Sequence, residues 1–319
     1  MILRPSNKEE LVQALRAVAQ QSDRVERVER VDLSALDRLL EHTPEDLTVT
    51  VEAGLSLAGL QEALARRGQW LPIDPPNPES LSIGALLSTN ANGPRRFGFG
   101  TIRDHLIGLQ VALADGRLVR SGGKVVKNVA GYDLMKLFVG ARDSLGFIVE
   151  ATFKLRPLPA VEHFVQARCD LLEQAAPLLD RILESELTPV VLDLHNLSGM
   201  SGSQATPRLV LGFAGTPEEV EWQRAKAAAL GISETATLDD EKQFWARGLP
   251  EPHRLSVLPS HLVETVGRLD KGPYLARAGN GLIYYREGAP PPKQVLSSQL
   301  GQRLKQTFDP KQILPEMSA

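Results

Sequence analysis

Apolar residues first recur at helical spacing near the start of the chain. Leu11, Val12, Leu15 and Val18 form one stripe, and Ser6 and Glu9 stand before it at capping-box spacing, which predicts a helix. A polar, repetitive stretch follows, and residues 21–31 read QSDRVERVERV. Residues 47–53, LTVTVEA, alternate strictly and predict a strand that Gly54 ends. Ser56 is placed to cap the next helix, whose stripe is Leu57, Leu60 and Leu64, with Gly68 at its C′ position. A proline-rich crossing, residues 72–78, leads into LSIGALLSTNANG, a short helical turn that enters a Gly/Asn loop. Asp115-Gly116 is a hairpin signal between two alternating segments, and residues 132–139 predict a short helix. Phe147, Val149, Ala151, Phe153 and Leu155 then alternate along a long strand and are expected on one face. Pro157 and Pro159 mark a domain boundary.

Beyond that boundary the rhythm changes. Strand EHFVQAR, a helix over residues 171–187, strands VVLDLH and RLVLGFA, a helix over residues 217–230 and a weak strand over residues 234–238 give a β-α-β-β-α-β order. Thr216, Pro217 and Glu219 mark the start of the second helix as cap, N1 and capping box. The loop SGMSGSQAT between the central strands is expected to be mobile. Short strands YLARAG and GLIYY and a last helix over residues 302–308 complete the pattern, with no solenoid or propeller repeat.

Composition narrows the classes. The chain has 319 residues, 42% hydrophobic and 24% charged, which suits two globular domains with real cores. A net charge of −3 supplies no field for nucleic acid or an anionic membrane. There is no signal-peptide pattern and no apolar run near the roughly 20 residues a membrane span needs, so the expected compartment is the cytoplasm. Cys169 is the single cysteine, expected as a small half-buried strand residue; alone it can hold neither an internal disulfide nor an iron–sulfur cluster. The six histidines, 42, 105, 163, 195, 253 and 261, are scattered without metal-ligand spacing, so no metal site is expected.

Two segments carry the candidate chemistry. Gly84 and Gly93 allow close backbone approach, Asn90 and Asn92 tolerate left-handed turns, and no acidic residue lies between Ser82 and Phe99. Backbone N–H groups at such a turn or helix start can cradle pyrophosphate without net positive charge. The second segment, SGGKVVKNVAGYDLMKLFVG, joins Gly122, Gly123 and Gly131 to Lys127, Asn128 and Tyr132. Lys127 is a candidate to neutralise a phosphate or a reduced ring, and Tyr132 to pack on a planar ligand. Read singly, each is equally a solvated lysine or a core-edge tyrosine.

SIGALLSTNANGPRRFGFGTIRDHLIGLQVALADGRLV, GGKVVKNVAGYDLMKLFVG and LGFIVEATFKLRPLP closely resemble the FAD-binding subunit of bacterial glycolate oxidase, of the vanillyl-alcohol-oxidase-like (PCMH-type) flavoprotein superfamily. LRPSNKEELVQALR, the DLSALDRLL segment, RLSVLPS and LKQTFDPKQILP extend the likeness over nearly the whole chain. The resemblance implies an α+β fold: a PCMH-type FAD-binding domain of two subdomains over residues 1–158, a ferredoxin-like second domain over 159–285, and a segment, 286–319, that packs back on the first. It implies FAD as cofactor, with contacts at Pro75, Ser82, Ile83, Gly84, Asn90, Ala91, Asn92, Gly93, Gly140, Gly146 and Ile148. Gly146-Phe147-Ile148 is implied at the adenine end. It also implies a complex with a second flavoprotein subunit and an iron–sulfur subunit, with no nucleic acid, no membrane span, and a cytoplasmic or partner-mediated peripheral location.

The chain departs from this pattern in three places. Residues 21–31 contain no glycine where the family carries a Gly-rich pyrophosphate loop, and Glu26 and Glu29 would repel a diphosphate. Ala85 replaces a glycine, and the turn of residues 140–146, GARDSLG, carries Asp143 where a glycine is expected. The sequence therefore supports a flavin-binding, electron-relaying subunit of a glycolate oxidase complex whose catalytic residues lie in a partner. The alternatives are an interaction subunit that has lost FAD, and, least favoured, a stand-alone oxidase.

Overall fold

A computed structural model describes residues 1–20, 27–123, 133–197, 206–246, 248–269, 272–291 and 299–317. The chain divides into two compact units, one of Met1–Asn92, Thr101–Leu158 and Lys293–Ala319, the other of Gly93–Gly100 and Pro159–Pro292. Residues Lys127, Asn128, Gly131 and Tyr132, the stretch 21–26 and most of the SGMSGSQAT loop lie outside the described residues.

The first unit is built on a five-stranded antiparallel sheet in the order Leu39–Thr43, Thr48–Glu52, Phe147–Lys154, Leu106–Ala112, Leu118–Gly122. A separate parallel pair joins Ile2–Leu3 to Arg30–Val31. Thr48–Glu52 alternates as its pattern predicts, yet every residue in it is buried. Val49 and Val51 enter the larger core, while Thr50 on the other face shares a 3.0 Å hydroxyl contact with Thr152.

Phe147–Lys154 differs from its expected alternation. Phe147 and Val149 pack with Leu11, Leu15 and Val18, whereas Ala151, Phe153 and Leu155 join Ile148 in the core beneath the helices Leu57–Ala65 and Ile83–Thr89. The register shifts where Gln110 and Val111 face Glu150 and Ile148, and a bulge of one residue exchanges the faces beyond it.

The first helix, Lys8–Gln20, starts one residue later than expected. Asn7 Oδ1 accepts from the Glu10 N–H at 2.8 Å, and the Glu10 carboxylate accepts from the Ser6 N–H at 2.7 Å. Asparagine caps as well as serine, so spacing alone does not choose between neighbouring candidates. At the other end of the unit, the helix Gln299–Phe308 is followed by a turn around the fully buried Asp309. Its carboxylate accepts from the N–H groups of Ile313 and Leu314, both at 2.9 Å, and from Lys305 Nζ at 2.7 Å; Lys305 also donates to the Ser144 carbonyl at 2.9 Å.

The second unit is a seven-stranded antiparallel sheet. Its first four strands in space are Glu234–Thr235, Val161–Arg168, Arg208–Gly215 and Val191–His195. That order is the one a ferredoxin-like β-α-β-β-α-β chain produces. The helices Ala175–Leu183 and Pro217–Ala229 cover one face, and the latter starts with the predicted Thr216–Glu219 capping box. Leu192, Leu194, Leu209 and Leu211 point into that core. Cys169 is buried just beyond the strand end rather than half-buried within it, and burial pushes its thiol pKa up. Among the described residues no helix is long and apolar enough to cross a membrane.

Candidate cofactor cleft

Two serine caps organise the site. Ser56 Oγ accepts from the Gly59 N–H at 3.1 Å, and Ser82 Oγ accepts from the Ala85 N–H at 3.2 Å. The two serines pair as an isolated antiparallel bridge, flanked by Leu57 N–H to Leu81 O at 2.9 Å and Ile83 N–H to Leu55 O at 2.8 Å. The helices Leu57–Ala65 and Ile83–Thr89 therefore begin side by side. Gly54 lies against the turn of Leu33 to Leu36, where an added Cβ would sit 1.9 Å from the Leu33 carbonyl oxygen. Gly84 packs less tightly on Ala53, which an added Cβ would approach at 3.2 Å.

These approaches enclose a cleft of about 470 Å3, within the range of small-molecule sites. One wall is Arg30, Val31, Asp32, Leu33 and Ser34; another is Gly54, Ser56, Ser82, Gly84 and Ala85. Glu79 and Ser80 enter from the proline-rich crossing, Ser88 and Thr89 from the helix end, and Asp143, Phe147 and Ile148 from the chain that follows.

Of the residues singled out in the sequence, Ser82, Gly84 and Ile148 line the cleft. Ile83 instead fills the core, and Pro75 is buried in the proline-rich crossing. Asn90 is the left-handed cap that ends the helix, and Asn92 folds back on it, donating from Nδ2 to the Asn90 carbonyl at 2.6 Å. Ala91 packs at the core edge, and Gly93 is buried beyond it. Gly140 and Gly146 bracket the turn that carries Asp143; both have positive φ, and a side chain at Gly146 would meet Val111 at 2.6 Å.

The cleft differs from the sequence-based picture in its donors and its charge. Backbone N–H groups at the helix start were the expected cradle, but Ile83, Gly84 and Ala85 donate to Leu55 O, Ala53 O and Ser82 Oγ. The hydroxyl hydrogens of Ser56 and Ser82 remain as donors, because each oxygen accepts the cap bond and keeps its own hydrogen. The Ser82 to Phe99 segment is free of acids, yet Asp32, Glu79 and Asp143 reach the cleft from elsewhere, against Arg30 among the described lining residues. The Ser34 N–H, 3.1 Å from Asp32 Oδ1, holds that carboxyl below its ordinary pKa. The hydroxyl donors fit a nucleotide, and the cleft has the size of one part of a dinucleotide; the charge balance opposes a diphosphate. Convergence of residues 30–34 with Glu79 and Asp143 carries no local sequence signal, although Gly54 at a strand end is a mark of close approach. Among the described residues no three His, Cys, Asp or Glu side chains are placed to hold a metal ion.

Residues 1–122 match the FAD binding domain family. The chain is 36% identical over 158 residues to glycolate oxidase subunit GlcD of Bacillus subtilis, covering 50% of this chain and 34% of that protein. It is 30% identical over 246 residues to glycolate oxidase subunit GlcE of Escherichia coli, covering 72% of this chain and 66% of that one. A probable mitochondrial D-lactate dehydrogenase of Danio rerio is 31% identical over 227 residues, covering 66% of this chain and 45% of the relative. The chain thus spans less than two thirds of these relatives' lengths. A solved alkyldihydroxyacetonephosphate synthase shares the fold, with a TM-score of 0.70 at 17% identity over 98% of this chain and 75% of that one.

Proposed function

Starting from a chain whose residues 1–122 belong to the FAD binding domain family, with a PCMH-type FAD-binding fold and FAD as its cofactor, we propose that it is an electron-relaying subunit of a glycolate or related D-2-hydroxy-acid oxidoreductase. The observation that carries this reading is the cleft itself: most of its wall comes from within the matched residues, where two capping serines and the close packing at Gly54 shape a space for part of a dinucleotide.

In this reading Ser56 and Ser82 donate hydrogen bonds to the ligand, Gly54 and Gly84 let the walls of the cleft pack closely behind it, and the backbone at Phe147 and Ile148 borders its adenine end. FAD, when bound, supplies an acceptor for the two electrons of a 2-hydroxy acid. The chain's own part is to hold and orient that acceptor; the base that takes the hydroxyl proton belongs to a partner subunit. A second flavoprotein and an iron–sulfur protein are the proposed partners, in the cytoplasm or at the inner face of the membrane through those partners.

The test is the visible spectrum of the chain separated from co-expressed partners. Flavin absorbance in the separated chain, or its appearance on adding FAD, is the expected result. A folded chain that carries none and takes none up would leave only a structural role in the complex. Glycolate oxidation by the isolated chain would overturn the assignment of the base to a partner.

A further inference from the structure

The turn between Gly140 and Gly146 is held in an unusual conformation. Arg142 and Asp143 both adopt left-handed backbone, with φ of 48° and 62°, a region that disfavours residues with a side chain. Hydrogen bonds onto the end of the helix Ile83–Thr89 fix it there: Gly140 N–H donates to Leu87 O and Arg142 N–H to Ser88 O, both at 2.9 Å. The result is that Asp143 lines the cleft on the same side as Ser88 and Thr89, and the buried Ser88 hydroxyl donates to its carboxylate.

We propose that Asp143 determines which ligands this cleft accepts: its ionised carboxylate opposes a diphosphate, so FAD is held weakly by the ionised form and more tightly by the neutral one. This rests on FAD occupying the cleft. Three observations support it. The carboxylate shares a space of about 470 Å3 with any ligand there, a confinement in which like charges are poorly screened. Burial raises its pKa above the ordinary aspartate value, with the Ser88 hydrogen bond opposing, so the neutral form is reached at milder acidity. Among the described residues the surrounding charges do not cancel it. Arg30 shares its wall with Asp32, on which its charge acts, and Glu79 adds a further acid to the lining; Arg142 is exposed on its own turn, and Lys305 behind Ser144 is paired with Asp309. The helix Ile83–Thr89 contributes no charged side chain.

Asp143→Asn is the direct probe, because asparagine tolerates the left-handed backbone and keeps the acceptor for Ser88. Titrating the full-length chain with FAD, followed by flavin fluorescence, is expected to give about tenfold tighter binding for Asp143→Asn at pH 8. Wild type should approach the variant as the pH falls, and riboflavin, which lacks phosphate, should not distinguish them. Ser88→Ala removes the donor that keeps the carboxyl ionised, and is expected to move the wild-type rise in affinity to higher pH. Equal FAD affinities for wild type and Asp143→Asn at every pH, or an equal gain for riboflavin, would overturn the proposal while leaving the cofactor assignment intact. Folded proteins that bind no FAD at any pH would instead remove the assignment, and this inference with it.

Discussion

Ser56 and Ser82 pair as an isolated antiparallel bridge, each capping its own helix, so two helix starts meet at one wall of the cleft. Their hydroxyl oxygens serve the fold, and in the proposed function their hydroxyl hydrogens are the donors to the ligand. The two roles separate experimentally, because glycine is a tolerated cap whereas alanine is not. Ser82→Ala is expected to lose about 1 kcal/mol of stability, and Ser82→Gly only a few tenths. Both remove the same donor and should weaken FAD binding equally, by several-fold. Urea unfolding and flavin titration on the two variants check this; an affinity loss that tracks stability would mean that Ser82 acts only as a cap.

Gly54 makes a second, harsher test. Its added Cβ would lie 1.9 Å from Leu33 O and 2.7 Å from Leu36 O, both backbone atoms that cannot swing away. The Gly54 N–H already donates to Leu36 O at 2.7 Å, which ties the two segments together. Gly54→Ala is therefore expected to cost about 3 kcal/mol and to displace the turn that forms one wall of the cleft. A thermal denaturation midpoint within a degree of wild type would show that this close approach is not needed.

Much of the fold was legible because local chemistry and tertiary need coincide. Thr216, Pro217 and Glu219 announce a helix start that nothing elsewhere in the chain contests. Asp115-Gly116 turns a hairpin whose φ of 74° at Gly116 only glycine supplies cheaply. What could not be read depends on neighbours distant in sequence. The bulge in Phe147–Lys154 is set by its pairing with Leu106–Ala112, and the alternating pattern itself looks unbroken. The site divides in the same way. Ser82 and Gly84 carry a local glycine-loop signature, but the cleft's charge comes from Asp32, Glu79 and Asp143, which only the folded chain brings to one space. The acid-free run after Ser82 therefore says little about the charge a ligand meets.

His195 predicts a pH dependence in the second unit. Burial lowers its pKa from 6.5 to about 4, and its Nδ1 accepts from the Leu197 N–H at 3.3 Å, which suits the neutral ring. The unfolded chain binds a proton near pH 6.5 that the folded chain refuses until about pH 4. Stability from this group is thus fully present above pH 6.5 and is lost as the pH falls through that window, on the order of 3 kcal/mol in all. His195→Gln should flatten the fall in stability between pH 6.5 and 4, read from urea midpoints across the range. An unchanged slope would place the acid sensitivity in other groups.

The same sheet holds the most exacting electrostatic arrangement among the described residues. Asp193 and Arg277 stand opposite each other on adjacent strands, joined by Nη1 to Oδ2 at 2.6 Å, with both side chains 3% exposed. Glu241, from the helix Asp239–Phe244, adds a second carboxylate to the guanidinium and accepts from Trp245 Nε1 at 3.0 Å. One cation thus answers two acids and fastens a helix over the face of the sheet that the larger helices leave bare. Removing the cation leaves two carboxylates in a dry site, a worse state than removing cation and acid together. Arg277→Met is expected to cost about 3 kcal/mol or more, and Arg277→Lys to recover little, because an ammonium cannot serve both carboxylates in the fork geometry. The double variant Asp193→Leu with Arg277→Met should be more stable than Arg277→Met alone, since it leaves one fewer charge buried. Urea unfolding of wild type, Asp193→Leu, Arg277→Met and the double variant decides the matter: a double variant that simply sums the two single losses would show that the pair is not coupled, and that Arg277 acts through packing instead.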